Sequence, residues 1–187
     1  MIEDVNLILD MAQEAMADSV KHLETELLKI RAGKANPILL EGVKVEYYGS
    51  QVPLNQVANV NTLDPRTLSI QPWEKTMIEP IERGIINSNL GFAPQNNGES
   101  ILINIPPLTE ERRKTLSKQA KAEGENAKVS IRNARRDAND AIKKLQKDGL
   151  PEDMAKKSED DIQKYTDQFI KKVDGLVEKK ETDIMTV

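Results

Sequence analysis

The sequence predicts an α+β protein, an elongated three-helix bundle interrupted by a small inserted β/α/β domain. Three observations predict it. Three stretches repeat apolar residues at spacings of three and four, the period of an amphipathic helix. Every proline except Pro151, and six of the nine glycines, lie between Gly33 and Pro107, so turn-forming residues are confined to one internal segment. Aromatic residues make up 3% of the chain against 31% charged, which suits long helices with narrow apolar seams better than a thick globular core.

The first helix is predicted over 2–30, with Ile2, Val5, Leu9, Ala12, Met16, Ser19, Leu23 and Leu27 as its seam. Gly33 and Asn36-Pro37 end it. Val43–Tyr48 is a β-type run, followed by Gly49-Ser50 and Gln51–Leu54, read as a hairpin with a Gly-led turn. Thr67–Ile70 is a second strand region. Met77–Asn87 is a short helix with Pro80 near its first turn. Asn97-Gly98 marks a hairpin turn before the strand Ile101–Ile105. Trp73 and the pair Tyr47-Tyr48 are expected to pack this small domain.

Pro106-Pro107 closes the insert, because a proline pair forbids a helix running back through it. Thr109 then caps a second long helix, with Glu110 and Glu111 suited to its positive end. It runs to about Lys147 and stops at Gly149, a length of roughly 58 Å. Its apolar side is expected at Leu116, Ala120, Ala127, Ala134, Ala138 and Leu145. After Leu150–Asp153, a third helix is marked by Ile162, Tyr165, Phe169, Val173, Leu176 and Ile184. The expected domains are 1–31 with 107–187 as the bundle, and 32–106 as the insert. A two-strand hinge at Ala32-Gly33 and Pro106-Pro107 joins them, and relative motion of the two is a hypothesis.

Composition narrows the function. With no cysteine and one histidine, His22, the chain has no disulfide framework, no Cys-based zinc site and no multi-histidine metal site. The opening MIEDVNLILDMAQ lacks a basic start and a long apolar run, and no apolar stretch approaches the ~20 residues of a membrane span. The expectation is a cytoplasmic protein without cofactor, metal or membrane attachment.

The net charge of −4 conceals an asymmetry. Residues 1–108 carry eight basic and fourteen acidic side chains, 109–147 twelve and six, and 148–187 seven and eleven. The second helix is therefore a basic element in an acidic protein, a local field that can steer a polyanion. With Arg132 set at zero and about 100° per residue, Lys114, Lys118, Lys121, Lys128, Arg135, Arg136, Lys143 and Lys147 fall within roughly 60° of it. Beyond the first turn, Glu125 is the one acidic residue on that arc. Most charged helix faces are simply solvated, but the usual mixture of signs is missing here. Arginine is concentrated at Arg132, Arg135 and Arg136, and its planar fork suits phosphate oxygens. Such a row can follow a nucleic-acid backbone, reading shape and phosphate more than sequence. The helix has no aromatic platform for stacking bases.

Other candidates are weaker. His22 reads as a surface residue. Asp137 and Asp140 suggest ion-pair partners for Arg136 or Lys144 more than a catalytic carboxylate pair. Gly33-Lys34 lacks the rest of a phosphate-binding loop, and no G-x-G-x-x-G, G-x-S-x-G or H-E-x-x-H occurs. No convergent catalytic set is visible, so the protein is not expected to be an enzyme. The alternative to RNA binding is a helical adaptor whose seams bind another coiled coil. That reading predicts binding that added salt does not weaken.

Four motifs in order carry a family resemblance. KIRAGKANP over Lys29–Pro37 and VEYYG over Val45–Gly49 resemble the first domain junction of ribosome recycling factors. PPLTEERRK over Pro106–Lys114 is similar to the second junction, and IRNARRDAND over Ile131–Asp140 to the family's arginine motif. The resemblance implies an L-shaped, tRNA-like outline. It implies action after termination: with elongation factor G and GTP, the ribosome is split and messenger and deacylated transfer RNA are released. It implies that Arg132 and Arg135 contact large-subunit ribosomal RNA, assisted by Arg31 and Lys34. Arg136 and Lys128 join them from the helical geometry. The implied partners are the ribosome and elongation factor G, and a monomer is expected.

Overall fold

The computed structural model describes residues 2–186. Its elements are α1 (Ile2–Lys29), β1 (Lys44–Tyr47), β2 (Ser50–Pro53), β3 (Ala58–Asp64), β4 (Thr67–Pro72), α2 (Ile78–Asn87), β5 (Pro94–Asn96), β6 (Ile101–Asn104), α3 (Glu110–Lys147) and α4 (Glu152–Met185). They form two compact units, Met1–Ala32 with Glu110–Val187, and Gly33–Thr109.

The first unit is a three-helix bundle. Val5 and Ala12 of α1 share a cluster with Ala138 and Ile142 of α3 and Ala155 and Ile162 of α4. The start of α1 therefore lies beside the end of α3 and the start of α4, so α3 runs antiparallel to both. The α1 seam departs from expectation at two places. Val20, not Ser19, is buried, and Ile2 is 64% exposed. Along α3 the buried residues are Leu116, Ala120, Gly124, Ala127, Ile131, Ala138 and Ile142. Ala134 and Leu145 are half-buried. The seam thus lies on one flank of the helix rather than diametrically opposite Arg132. On α4, Ser158 and Thr166 join Ile162, Phe169 and Val173 inside, whereas Tyr165 and Leu176 are half-buried. Both hydroxyls are satisfied along their own helix: Ser158 donates to Met154 O at 2.8 Å and Thr166 to Ile162 O at 2.8 Å. Among the described residues no helix is long and apolar enough to cross a membrane.

Helix α3 ends where Gly149 adopts φ +110°. The Leu150 N–H donates to Leu145 O at 3.0 Å, closing the last turn before α4.

The second unit contains an antiparallel sheet in the order β3-β4-β6-β5 and a separate β1-β2 hairpin. Leu68 and Ile70 of β4, Ile101 and Ile103 of β6, Val45 of β1, and Ile81 and Ile85 of α2 form its core. The hairpin pairs Tyr47 with Ser50, so its turn is Tyr48-Gly49 rather than Gly49-Ser50. Both turn residues have positive φ, 46° and 81°, the geometry that matches the strand twist. This corrects the expectation for the aromatics. Tyr48 occupies the turn and is 84% exposed, and Trp73 is 62% exposed. Trp73 follows the last residue of β4, where its backbone N–H donates to Val57 O at 3.1 Å while its ring stays outside the core. Tyr47 does pack against the core, and its hydroxyl donates to Glu74 Oε1 at 3.3 Å. Strand β3 was not foreseen.

The chain crosses between units at 32–33 and 109–110. Gly33 has φ +71°, and a Cβ there would stand 2.8 Å from Leu108 Cγ. The two connecting segments therefore run side by side where they enter the second unit.

Candidate nucleic-acid interface

Helix α3 holds Lys128, Arg132, Arg135 and Arg136 within nine consecutive residues, which places them on one side of about two turns. Their environments differ. Arg132 and Arg136 are exposed and have no ion pair among the described residues. Arg135 is half-buried and donates from a terminal guanidinium nitrogen to Gln163 Oε1 at 3.2 Å. Gln163 in turn donates to Asp167 Oδ1 at 2.8 Å. The Lys128 ammonium lies 2.6 Å from Asp174 Oδ1 and 3.5 Å from Glu125 Oε1, with its side chain 19% exposed. The hydrogen bond to Asp174 raises the Lys128 pKa above the ordinary lysine value, outweighing its partial burial.

The same pattern continues towards the start of the helix. Lys121 lies 3.1 Å from Glu181 Oε1, which also accepts from Ser117 Oγ at 2.8 Å. Partial burial alone would raise the Glu181 carboxyl, but the bonds from Ser117 and Lys121 outweigh it and hold it below the ordinary range. Lys114 pairs with Glu110 at 2.8 Å along its own helix. Lys118, Lys143 and Lys147 are exposed and unpaired among the described residues.

The remaining predicted residues belong to other segments of the chain. Arg31 is exposed just beyond the end of α1. With Ala12 facing Ala138 across the bundle, Arg31 falls roughly 20 Å along the axis from Arg132. Lys34 is half-buried and belongs to the other unit, as do Gly33, Pro106 and Pro107.

The comparisons with known proteins bear on the whole chain. A family model described as ribosome recycling factor matches residues 23–185. This chain belongs to the ribosome recycling factor family. A ribosome-recycling factor from Christiangramia forsetii is 57% identical over 186 residues, covering 100% of both chains. One from Bacteroides fragilis is 55% identical over 184 residues, covering 98% of this chain and 99% of that one. Among solved structures, a solution structure of the ribosome recycling factor aligns over 100% of both chains with TM-score 0.79 and 35% identity. A Thermus thermophilus ribosome recycling factor, fitted with Escherichia coli elongation factor G on the E. coli post-termination complex, aligns with TM-score 0.65 and 48% identity. That alignment covers 97% of this chain and 99% of the other. The α+β architecture is thus that of recycling factors.

In this recycling factor the site includes α4 residues that the sequence reading left out: Gln163, Asp167, Asp174 and Glu181. A signal for three of them was present. Asp167, Asp174 and Glu181 recur every seven residues, as do Lys121, Lys128 and Arg135 on α3. Two antiparallel helices bring such series together in opposite order. Asp137 and Asp140 form no ion pair among the described residues. His22 is exposed, and no group of three or more metal-binding side chains occurs among the described residues. A cavity of about 830 Å³ lies in the second unit between the β1-β2 hairpin and α2. Lys44, Glu46, Tyr48, Arg83 and Asn87 line it, without a nucleophile and base in hydrogen-bond contact.

Proposed function

We propose that this protein acts with elongation factor G and GTP to dissociate the post-termination ribosome, releasing messenger and deacylated transfer RNA. The bundle binds large-subunit ribosomal RNA through α3, and the protein itself hydrolyses nothing. The observation that carries the reading is the exposed pair Arg132 and Arg136, without ion pairs among the described residues, in a chain 48% identical to a recycling factor placed with elongation factor G on a post-termination complex. Guanidinium groups one turn apart can engage successive phosphates bidentately. Arg135 is held at the edge of this pair by Gln163, and Lys128 reaches phosphate only if its bridge to Asp174 opens. Arg31 and Lys34 are the assisting cations near the junction. The segments at Ala32-Gly33 and Pro106-Pro107 serve as the hinge on which elongation factor G moves the second unit. The protein works as a monomer in the cytoplasm.

The test is sucrose-gradient sedimentation of post-termination ribosomes with this protein, elongation factor G and GTP. Splitting only with all three present, and its loss in Arg132→Ala/Arg136→Ala, is the expected result. Absence of ribosome binding even at low salt would return the helical adaptor as the leading reading.

A further inference from the structure

The cationic arc of α3 divides into two edges. With Arg132 at zero and about 100° per residue, Lys121, Lys128 and Arg135 lie at about −20° to −60°. On that edge each faces α4, where Glu181, Asp174 and the Gln163-Asp167 pair meet them. Arg132, Lys143, Lys118, Arg136 and Lys147 lie from about 0° to +60° on the other edge, and none has an ion pair among the described residues; Lys114, also near 0°, pairs with Glu110 of its own first turn and not with α4. Lys121 and Lys128 are thus matched by carboxylates seven residues apart, Glu181 and Asp174, and Arg135 by Gln163, which is itself bonded to Asp167 one further seven-residue step along.

We propose that Asp167, Asp174 and Glu181 are specificity-determining residues that neutralise one edge of the α3 cationic row. The proposal rests on the reading of α3 as an RNA-binding helix. Partly exposed ion pairs contribute little to stability, so folding alone gives weak reason for two of them in register with a third, Gln163-mediated contact. Their effect on a polyanion is larger. Affinity for nucleic acid without sequence preference grows with the number of phosphates neutralised. A row of eight or nine open cations would hold any duplex RNA. Masking one edge leaves a single narrow line of charge, which binds well only where phosphates follow that line. A recycling factor working amid abundant RNA gains selectivity from cations that remain covered.

The test uses the full chain and a mixed-sequence 20-base-pair RNA duplex. Asp167→Asn/Asp174→Asn/Glu181→Gln is compared with Asp10→Asn/Glu14→Gln/Glu24→Gln, which neutralises three exposed carboxylates on α1 and changes net charge equally. The expected result is duplex binding at least tenfold tighter for the α4 variant at low salt. Its log–log salt slope should steepen by about two, as for two or three more phosphates engaged. The α1 variant should change far less and keep its slope. Equal gains in both variants, or no gain in either, overturn the proposal. If the triple variant loses its helical melting transition, Asp174→Asn alone decides, with a smaller gain in the same direction expected and none counting against the idea. Failure of the RNA-binding reading would appear elsewhere, as ribosome binding retained in Arg132→Ala/Arg136→Ala.

Discussion

Lys128 and Asp174 join the middle of α3 to α4 through a 2.6 Å contact, with the lysine side chain 19% exposed and the aspartate 59%. The pair sits between Lys121–Glu181 on one side and Arg135–Gln163–Asp167 on the other. It is the centre of a cross-helix ladder rather than an isolated bridge. A double-mutant cycle with Lys128→Met and Asp174→Asn should give a coupling energy of about 0.5–1 kcal/mol in urea unfolding, as for a partly exposed pair. Additive effects within about 0.3 kcal/mol would mean that the contact does not persist in solution.

Arg132 and Arg136 should behave differently from the ladder residues. Neither has an intramolecular partner among the described residues, so replacing both with alanine should leave the melting temperature nearly unchanged. Ribosome binding should weaken, and its log–log salt slope should fall by about one for each phosphate no longer engaged. An unchanged slope with weaker binding would mean that the arginines act through packing or shape instead of charge. A melting temperature lowered by many degrees would make them structural.

How much of the molecule is legible in its sequence differs by element. The helices are readable because long apolar periods are hard to mistake, and the hairpin because Gly49 lies between two β-type runs. Strand β3 is not. Ala58-Asn59-Val60-Asn61 has weak strand propensity, and β3 exists because its backbone pairs with β4 from Ala58↔Pro72 to Asp64↔Thr67. The α3 seam is misplaced towards Ala134 when the core is expected opposite the basic arc. A helix packed against two partners buries a flank instead, and Ile131 and Ile142 lie on it. That flank brings Lys128 and Arg135 to the border of α4. The basic arc can be read from one helix, whereas its division into covered and open edges requires knowing where the second helix lies.

Glu181 links the ladder to pH. Its carboxyl is held below the ordinary glutamate value, so the folded state binds its proton less readily than the unfolded chain. The resulting stability is fully present above about pH 4.3 and is lost as pH falls through the depressed folded value. Thermal melts of the protein and of Glu181→Gln should therefore differ by a steady amount above the ordinary glutamate range and converge as pH falls through and below the depressed folded value. A gap that stays constant through that fall would show that Ser117 and Lys121 do not hold the carboxylate in solution.

Gly84 is the sharpest packing constraint in the second unit. It lies on α2 against β1, and a Cβ there would stand 2.6 Å from the Lys44 carbonyl oxygen. Alanine would gain about 1 kcal/mol of helix propensity over glycine. Pushing a helix off a strand backbone costs about 1–3 kcal/mol, because the collision is with main chain and no side-chain rotation relieves it. Gly84→Ala should therefore destabilise this unit by up to about 2 kcal/mol. Trp73, the sole tryptophan, belongs to the same unit, so its fluorescence during urea unfolding reports on that unit. A shift of the midpoint to lower urea is the expected outcome. A shift to higher urea would mean that α2 and β1 separate by a few tenths of an ångström at little cost, leaving helix propensity to decide the sign.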